Sequence, residues 1–177
     1  MNSPKFTVFS ASDRPGSNTS KVARHYYQIL QEQGFEVLYF SLEDLPADFF
    51  TAGRYGESPS SFAQVLNSVI LPSTHFVFAV PEYNGSFPGI FKYFLDMVSP
   101  KIWDGKKAAM AGVATGRGGN LRGLDHLTGV FHYLKMEVLS DKPLFSSIHL
   151  HLDGAGKLIN QEYIRLASMQ MERFSKF

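Results

Sequence analysis

Thr74-His75-Phe76-Val77-Phe78-Ala79-Val80-Pro81-Glu82-Tyr83-Asn84-Gly85-Ser86-Phe87-Pro88-Gly89 is the stretch on which the fold turns. Its first part, 74–80, is an apolar run too short for a helix and rich in β-formers, the pattern of a central strand buried on both faces. Asn84-Gly85 taken alone signals a hairpin and an antiparallel return. The residues beyond it argue otherwise. Phe87, Ile90, Phe91, Phe94, Leu95 and Val98 fall on one helical face, with Pro88 placed in a first turn. The chain therefore passes from strand to loop to helix, which is half of a parallel crossover.

The same alternation extends in both directions. Upstream, 6–9 is a short β-favouring run that ends in a cluster of Ser, Asp, Pro, Gly and Asn. Apolar residues then recur at helical spacing from Thr19 to Leu30, with Gly34 as the stop. Residues 36–40 read as a second strand, 45–60 as an irregular connection carrying Pro46, Gly53, Gly56 and Pro59, and 62–71 as a helix. Downstream, 107–113 is a fourth strand, 115–119 a glycine-rich loop and 121–134 a helix. Residues 136–139 begin a fifth strand that resumes around 145–150, and 161–174 forms a closing helix. Strands alternating with helices imply an α/β doubly wound five-stranded parallel sheet with helices on both faces, of order 2-1-3-4-5. In such sheets ligands sit beyond the carboxyl ends of the strands, where the order reverses between the first and third.

Composition narrows the function classes. The 177 residues are 44% hydrophobic and 19% charged, an ordinary balance for one globular domain. There are no cysteines, which excludes thiolate catalysis, thiolate metal sites and disulfides and suits a reducing compartment such as the cytoplasm. The net charge of +1 is spread along the chain, so no footprint for a nucleic-acid backbone is present. No apolar run approaches the roughly 20 residues that a bilayer span requires, and residues 1–5 carry no signal-peptide pattern.

The topology brings the loops after strands one, three and four to one edge. The first reads Ser10-Ala11-Ser12-Asp13-Arg14-Pro15-Gly16-Ser17-Asn18-Thr19-Ser20 and opens a helix. Its hydroxyls, helix-terminal N–H groups and one guanidinium suit a phosphate. The same residues also suit a helix cap and a turn. The second loop, Pro81-Glu82-Tyr83-Asn84-Gly85-Ser86, offers an aromatic ring, an amide and a glycine to a flat heteroaromatic ligand, although Tyr83 and Phe87 also suit a core. In the third, Thr115-Gly116-Arg117-Gly118-Gly119, the glycines remove bulk where a ring edge could enter.

Together these loops resemble those of the NADPH-dependent FMN reductase family of the flavodoxin-like superfamily, whose relatives reduce quinones, azo compounds and chromate. The resemblance covers roughly 6–170 and is most specific at Pro81-Glu82-Tyr83-Asn84-Gly85-Ser86, the family's flavin-ring loop. Ser12, Arg14 and Ser17 match its phosphate-loop pattern. Two departures stand out: Ala11 replaces a customary glycine, and Asp13 sets a carboxylate beside the phosphate position, facing solvent or pairing with Arg14. The resemblance implies that Ser12, Arg14, Ser17, Asn18 and Thr19 hold the FMN phosphate. It implies that Pro81, Glu82, Tyr83, Asn84 and Gly85 line the isoalloxazine, with Thr115, Gly116, Arg117 and Gly119 as the third contact.

Flavin carries the redox chemistry itself, so no catalytic dyad is required, and the backbone of Asn84 and Gly85 is placed near the reactive edge. The implied reaction is ping-pong transfer from NADPH or NADH to a small acceptor such as free flavin, a quinone or an azo compound. A flavodoxin-type electron carrier and a non-catalytic flavin sensor are the alternatives; carriers are usually strongly acidic, which this chain is not. The aromatics Tyr83, Phe87, Phe91 and Tyr93, more than one helix face can bury, imply a homodimer or homotetramer. His126 and His132 lie six apart on a helix, and His149 and His151 alternate on a strand-like segment without a third ligand, so no metal site is expected.

Overall fold

The computed structural model describes residues 4–50 and 60–177. The sheet is built from β1 (Phe6–Ser10), β2 (Val37–Ser41), β3 (His75–Pro81), β4 (Lys107–Val113) and two short pieces, β5 (Glu137–Val138) and β6 (Leu144–Phe145). All pairings are parallel and the order is β2-β1-β3-β4-β5, with β6 also on β4. The order reversal falls between β1 and β3, as the sequence implied.

Alternation along β3 divides the core in two. Phe76, Phe78 and Val80 face the cluster containing Phe9, Phe40, Phe91, Phe94, Leu124, Leu127, Phe131 and Trp103. Val77 and Ala79 face the cluster containing Val8, Val22, Tyr26, Leu30, Ala109, Met171 and Phe174. The first cluster is covered by α2 (Ser60–Val65), α3 (Gly89–Met97), α4 (Pro100–Trp103) and α5 (Leu121–Tyr133), and the second by α1 (Asn18–Glu32) and α6 (Gln161–Phe174). Helices on both faces make the strands apolar on both sides, which is why they read as runs rather than as alternations.

Three readings need correction. The helix expected over 62–71 is α-helical only to Val65 and continues as a π turn, Leu66–Ile70. Pro88 is the N-cap of α3, in extended conformation, and not a first-turn residue. The resumed fifth strand is only Leu144–Phe145, because Ser147 takes φ of 47° and turns the chain into a short 3-10 helix, Ile148–Leu150. His149 and His151 are thereby removed from any strand alternation. Of the connection expected over 45–60, the described part holds a 3-10 turn, Ala47–Phe50, whose Phe49 is buried against Phe62 and Phe94. Gly53, Gly56 and Pro59 lie outside the described residues.

The fifth strand is split, and a side chain fills the gap. β5 pairs with the start of β4 and β6 with its end, leaving Met110 between them. The buried Gln170 of α6 donates to the carbonyls of Met110, at 3.0 Å, and Asp141, at 2.7 Å. Those carbonyls would otherwise bear a desolvation cost without a partner.

His75, at the amino end of β3, lies against the rings of Phe6 and Phe174, with Thr74 Oγ1 at 2.8 Å from its Nδ1. Burial, and secondarily the charge of Lys107, holds its pKa down to about 4 from the ordinary 6.5. His25 is lowered in the same direction by burial. Between about 4 and 6.5 the unfolded chain binds a proton at His75 that the folded chain does not. Stability is therefore complete above 6.5 and is lost as pH falls through this window. Urea denaturation followed from pH 7 to pH 4.5 should show a falling midpoint, and His75→Asn should flatten the slope; an equal slope in the variant would rule His75 out as its source.

Candidate functional site

The first loop is shaped by its own polar groups. Ser17 caps α1: its Oγ accepts from Ser20 N at 3.0 Å, while Ser20 Oγ donates to Ser17 O at 2.8 Å. Accepting a cap bond leaves the Ser17 hydroxyl proton free to donate, so cap and anion ligand are compatible roles for one side chain. The N–H groups of Asn18 and Thr19, in the first helical turn, have no intrahelical acceptor. Ser12 is buried, with its Oγ accepting from Arg14 N at 3.3 Å. Asp13 is exposed to solvent, one of the two orientations expected for it.

The second loop reconciles two signals. Asn84 (φ 52°) and Gly85 (φ 77°) are both left-handed, and Tyr83 and Ser86 exchange backbone bonds of 2.8 and 3.1 Å. The Asn-Gly hairpin signal is thus realised over four residues, inside a strand-loop-helix connection. The N–H groups of Asn84 and Gly85 make no hydrogen bond among the described residues. Tyr83 reaches back to the first loop, its hydroxyl 3.3 Å from Ser12 Oγ and its ring 5.8 Å below the Arg14 guanidinium.

The third loop folds back over the end of β4. A side chain on Gly112 would begin 2.0 Å from Gly119 O, so only glycine permits this approach. Gly119 has φ of 58°, and its missing Cβ would lie 2.7 Å from Leu144 Cβ and 2.8 Å from Ser146 Oγ. The glycine-as-open-edge expectation is therefore corrected at Gly119, whose lack of a side chain serves packing against β6. Gly116 has nothing within 4 Å and Arg117 is exposed.

The loops meet in a hollow of about 120 Å³ lined by Ser12, Arg14, Ser17, Asn18, Thr19, Pro81, Glu82, Tyr83 and Thr115. Asn84, Gly85, Gly116, Arg117 and Gly119 do not line it. Sequence reading missed Val113, Ala114 and Ile148, which complete the wall. Ile148 arrives through the chain after β6, where Ser147 N and Ile148 N donate to the carbonyls of Gly116 and Ala114, both at 3.1 Å. No local pattern marks these residues. A second hollow of about 420 Å³ shares Glu82 with the first and is lined also by Gly118, Leu121, Arg122 and Asp125. Arg122 Nη1 stands 3.1 Å from where a side chain on Gly85 would begin.

Among the described residues no group of three or more His, Cys, Asp or Glu could hold a metal, and no helix is long and apolar enough to cross a membrane. A doubly wound parallel sheet of this order, with a hollow lined by hydroxyls and an arginine at its switch point and flanked by an aromatic turn, is the architecture of the flavodoxin-like class. The NADPH-dependent FMN reductase family matches residues 4–149, and the chain belongs to that family. It is 28% identical over 177 residues to a 2-hydroxy-1,4-benzoquinone reductase from a Burkholderia species, covering 97% of this chain and 94% of that one. It is 32% identical over 137 residues to an NAD(P)H:quinone oxidoreductase of Solanum tuberosum, covering 73% and 68% of the two chains. In fold it is similar to the flavoenzyme NAD(P)H:acceptor oxidoreductase of Paracoccus denitrificans, with a TM-score of 0.78 and 20% identity over 98% of this chain and 96% of that one.

The two loop glycines give a direct check on this geometry. Gly119→Ala forces a left-handed alanine against Leu144 and should cost about 1–3 kcal/mol of unfolding free energy, as overpacking does. Gly116→Ala, in open space, should change it by less than about 0.5 kcal/mol. Equal urea midpoints for the two variants would contradict the close approach at Gly119.

Proposed function

We propose that the chain binds FMN with its phosphate in the hollow of Ser12, Arg14, Ser17, Asn18 and Thr19 and its isoalloxazine along Pro81, Glu82, Tyr83, Asn84 and Gly85. Thr115, Gly116 and Arg117, which are exposed, bound the ring's far side. The observation that carries this reading is the meeting of the three loops in one hollow. Its donors are hydroxyls, helix-terminal N–H groups and a guanidinium, the set that suits a phosphate monoester. At about 120 Å³ it falls below the roughly 300–1,000 Å³ of pockets that enclose a drug-sized ligand, so it fits a phosphate and leaves a tricyclic ring outside, along the second loop.

Bound FMN accepts a hydride and returns electrons singly or in pairs. The protein's share is to bind, orient and tune. The N–H groups of Asn84 and Gly85, unpartnered among the described residues, stabilise negative charge developing at the ring edge. The hollow between Glu82 and Arg122 gives the nicotinamide of NADPH or NADH, and then the acceptor, one place to enter in turn, which is the condition for ping-pong kinetics. The acceptor class is a quinone, as in the names of the relatives from Burkholderia and Solanum tuberosum. The absence of cysteine and the use of a pyridine-nucleotide donor favour the cytoplasm.

FMN should bind far more tightly than riboflavin, and Arg14→Ala should remove about a ten- to hundredfold part of that preference, the range of a charge-assisted hydrogen bond. Fluorescence quenching of the two flavins measures it, and equal affinities in the wild type would overturn the phosphate assignment. Anaerobic NADPH or NADH should bleach the FMN-loaded protein, a quinone should restore its absorbance, and steady-state double-reciprocal plots should be parallel.

Three of the four aromatics expected at a subunit contact are packed within the chain. Phe91 is fully buried, Phe87 packs against the core, and Tyr93 lies against Phe49 and Phe50. An apolar groove between α3 and α5 takes their place, lined by Leu95, Val98, Val130 and Leu134 beside Tyr133, which is 85% exposed. We assign this groove to a homodimer contact. Light scattering at micromolar concentration should return twice the chain mass, and Val130→Glu should return a monomer; a wild-type monomer would refute the assignment.

A further inference from the structure

Asn120 occupies the N-cap position of α5 but does not cap it. It is fully buried and left-handed, with φ of 69° and ψ of 28°. Its side-chain amide donates instead to the carbonyls of Val80, at 3.0 Å, and Pro81, at 2.9 Å. Its backbone N–H donates to Glu82 Oε2 at 3.2 Å. One residue thus holds three consecutive residues, 80 to 82, at the point where β3 becomes the second loop. The β1 partner strand stops at this level, since the last register pair is Ser10 with Ala79, so the ladder on that side no longer fixes the chain.

The hold continues along α5 at helical spacing. A side chain on Gly123 would begin 2.0 Å from Asn120 Oδ1 and 2.8 Å from the carbonyl carbon of Ser86, so the first turn of α5 presses directly on the far end of the Tyr83–Ser86 turn. His126 Nδ1 lies 3.0 Å from Ser86 Oγ. Positions 120, 123 and 126 form one strip that grips both ends of the turn bearing the free N–H groups of Asn84 and Gly85. The arrangement has visible costs: a helix end without a side-chain cap, a left-handed non-glycine residue, and an Oδ1 buried without a hydrogen-bond partner. A residue placed only to begin a helix would have avoided all three.

We propose that Asn120 is the positioning residue of the flavin-ring loop, fixing the aim of the Asn84 and Gly85 N–H groups toward the isoalloxazine; this rests on the FMN reading above. It does not line the phosphate hollow and bonds to none of the hydroxyl, guanidinium or helix-terminal donors there; its contacts with the hollow's wall are with Pro81 and Glu82, on the ring-loop side. Its loss therefore weakens ring binding and leaves phosphate recognition as it was.

The discriminating variants are Asn120→Gly, which keeps the left-handed backbone and deletes the amide, and Asn120→Asp, which keeps the shape and sets oxygen against two carbonyls. In Asn120→Gly, FMN and riboflavin dissociation constants should both rise about tenfold or more by the same factor, so that their ratio stays at the wild-type value. Arg14→Ala should change that ratio instead. The visible circular dichroism of the bound flavin should also change in Asn120→Gly, a signal that a purely structural role, seen as a lowered Tm of the apoprotein alone, would leave untouched. Should Asn120→Gly not fold, Asn120→Asp carries the same expectations. Tight wild-type FMN binding with unchanged affinity and dichroism in the folded variant would overturn the positioning role. A wild-type protein that bound no FMN would overturn the functional reading beneath it.

Discussion

Everything at the candidate site depends on the parallel register of β1, β3 and β4. Phe6 to Ser10 pairs with His75 to Ala79, and His75 to Pro81 pairs with Lys107 to Val113, so the carboxyl ends fall within about two residues of one level. Because the strands are parallel, each ends at the same edge and each must leave through a loop there. Because the order reverses between β1 and β3, the helices after them depart to opposite faces and open a crevice between the loops. A phosphate-type loop and an aromatic turn far apart in sequence are brought together by that register alone, and Tyr83 then bridges them by reaching Ser12. The third loop can join only because Gly112 and Gly119 let two stretches of backbone approach more closely than any side chain allows.

What could be read from sequence divides along the same physical line. β1, β3 and β4 were legible because burial on both faces leaves a run of apolar residues, and α1, α5 and α6 because burial on one face leaves a helical period. The fifth strand was only half legible. Its continuity is carried by Gln170, sixty residues from the carbonyl of Met110 that it satisfies, and nothing near residues 139–143 announces that substitution. The strand expected over 145–150 ends at Ser147, which is left-handed and donates to Gly116 O while Ile148 N donates to Ala114 O, partners about thirty residues away. The aromatics Phe87, Phe91 and Tyr93 find their partners inside the chain, in the cluster of Phe9, Phe40, Phe49, Phe78 and Phe94, because side chains from other elements meet that helix face.

The site shows the same division. Ser12, Arg14, Ser17 and Tyr83 were legible since their chemistry is local to the loops that carry them. Val113, Ala114, Ile148 and Asn120 were not, since what they do is defined by a partner elsewhere. Ser17 also dissolves the opposition between a helix cap and a phosphate ligand: a hydroxyl accepts with one lone pair and donates with its proton, so the same oxygen can terminate the helix and face an anion. The cap bond holds the Ser17 hydroxyl at the mouth of the hollow that it lines.

Helix α5 joins the site to the rest of the molecule. Its first turn grips the second loop through Asn120 and Gly123, His126 both approaches Ser86 and lines the apolar groove, and Val130, Tyr133 and Leu134 continue that groove toward the helix end. A contact made at the groove therefore bears on the same packed helix whose first turn holds residues 80–86. Buried throughout on its inner face by Leu124, Leu127 and Phe131, α5 cannot tilt at one end without moving the other. The strip that holds residues 80–86 and the groove between α3 and α5 are thus two surfaces of one packed helix.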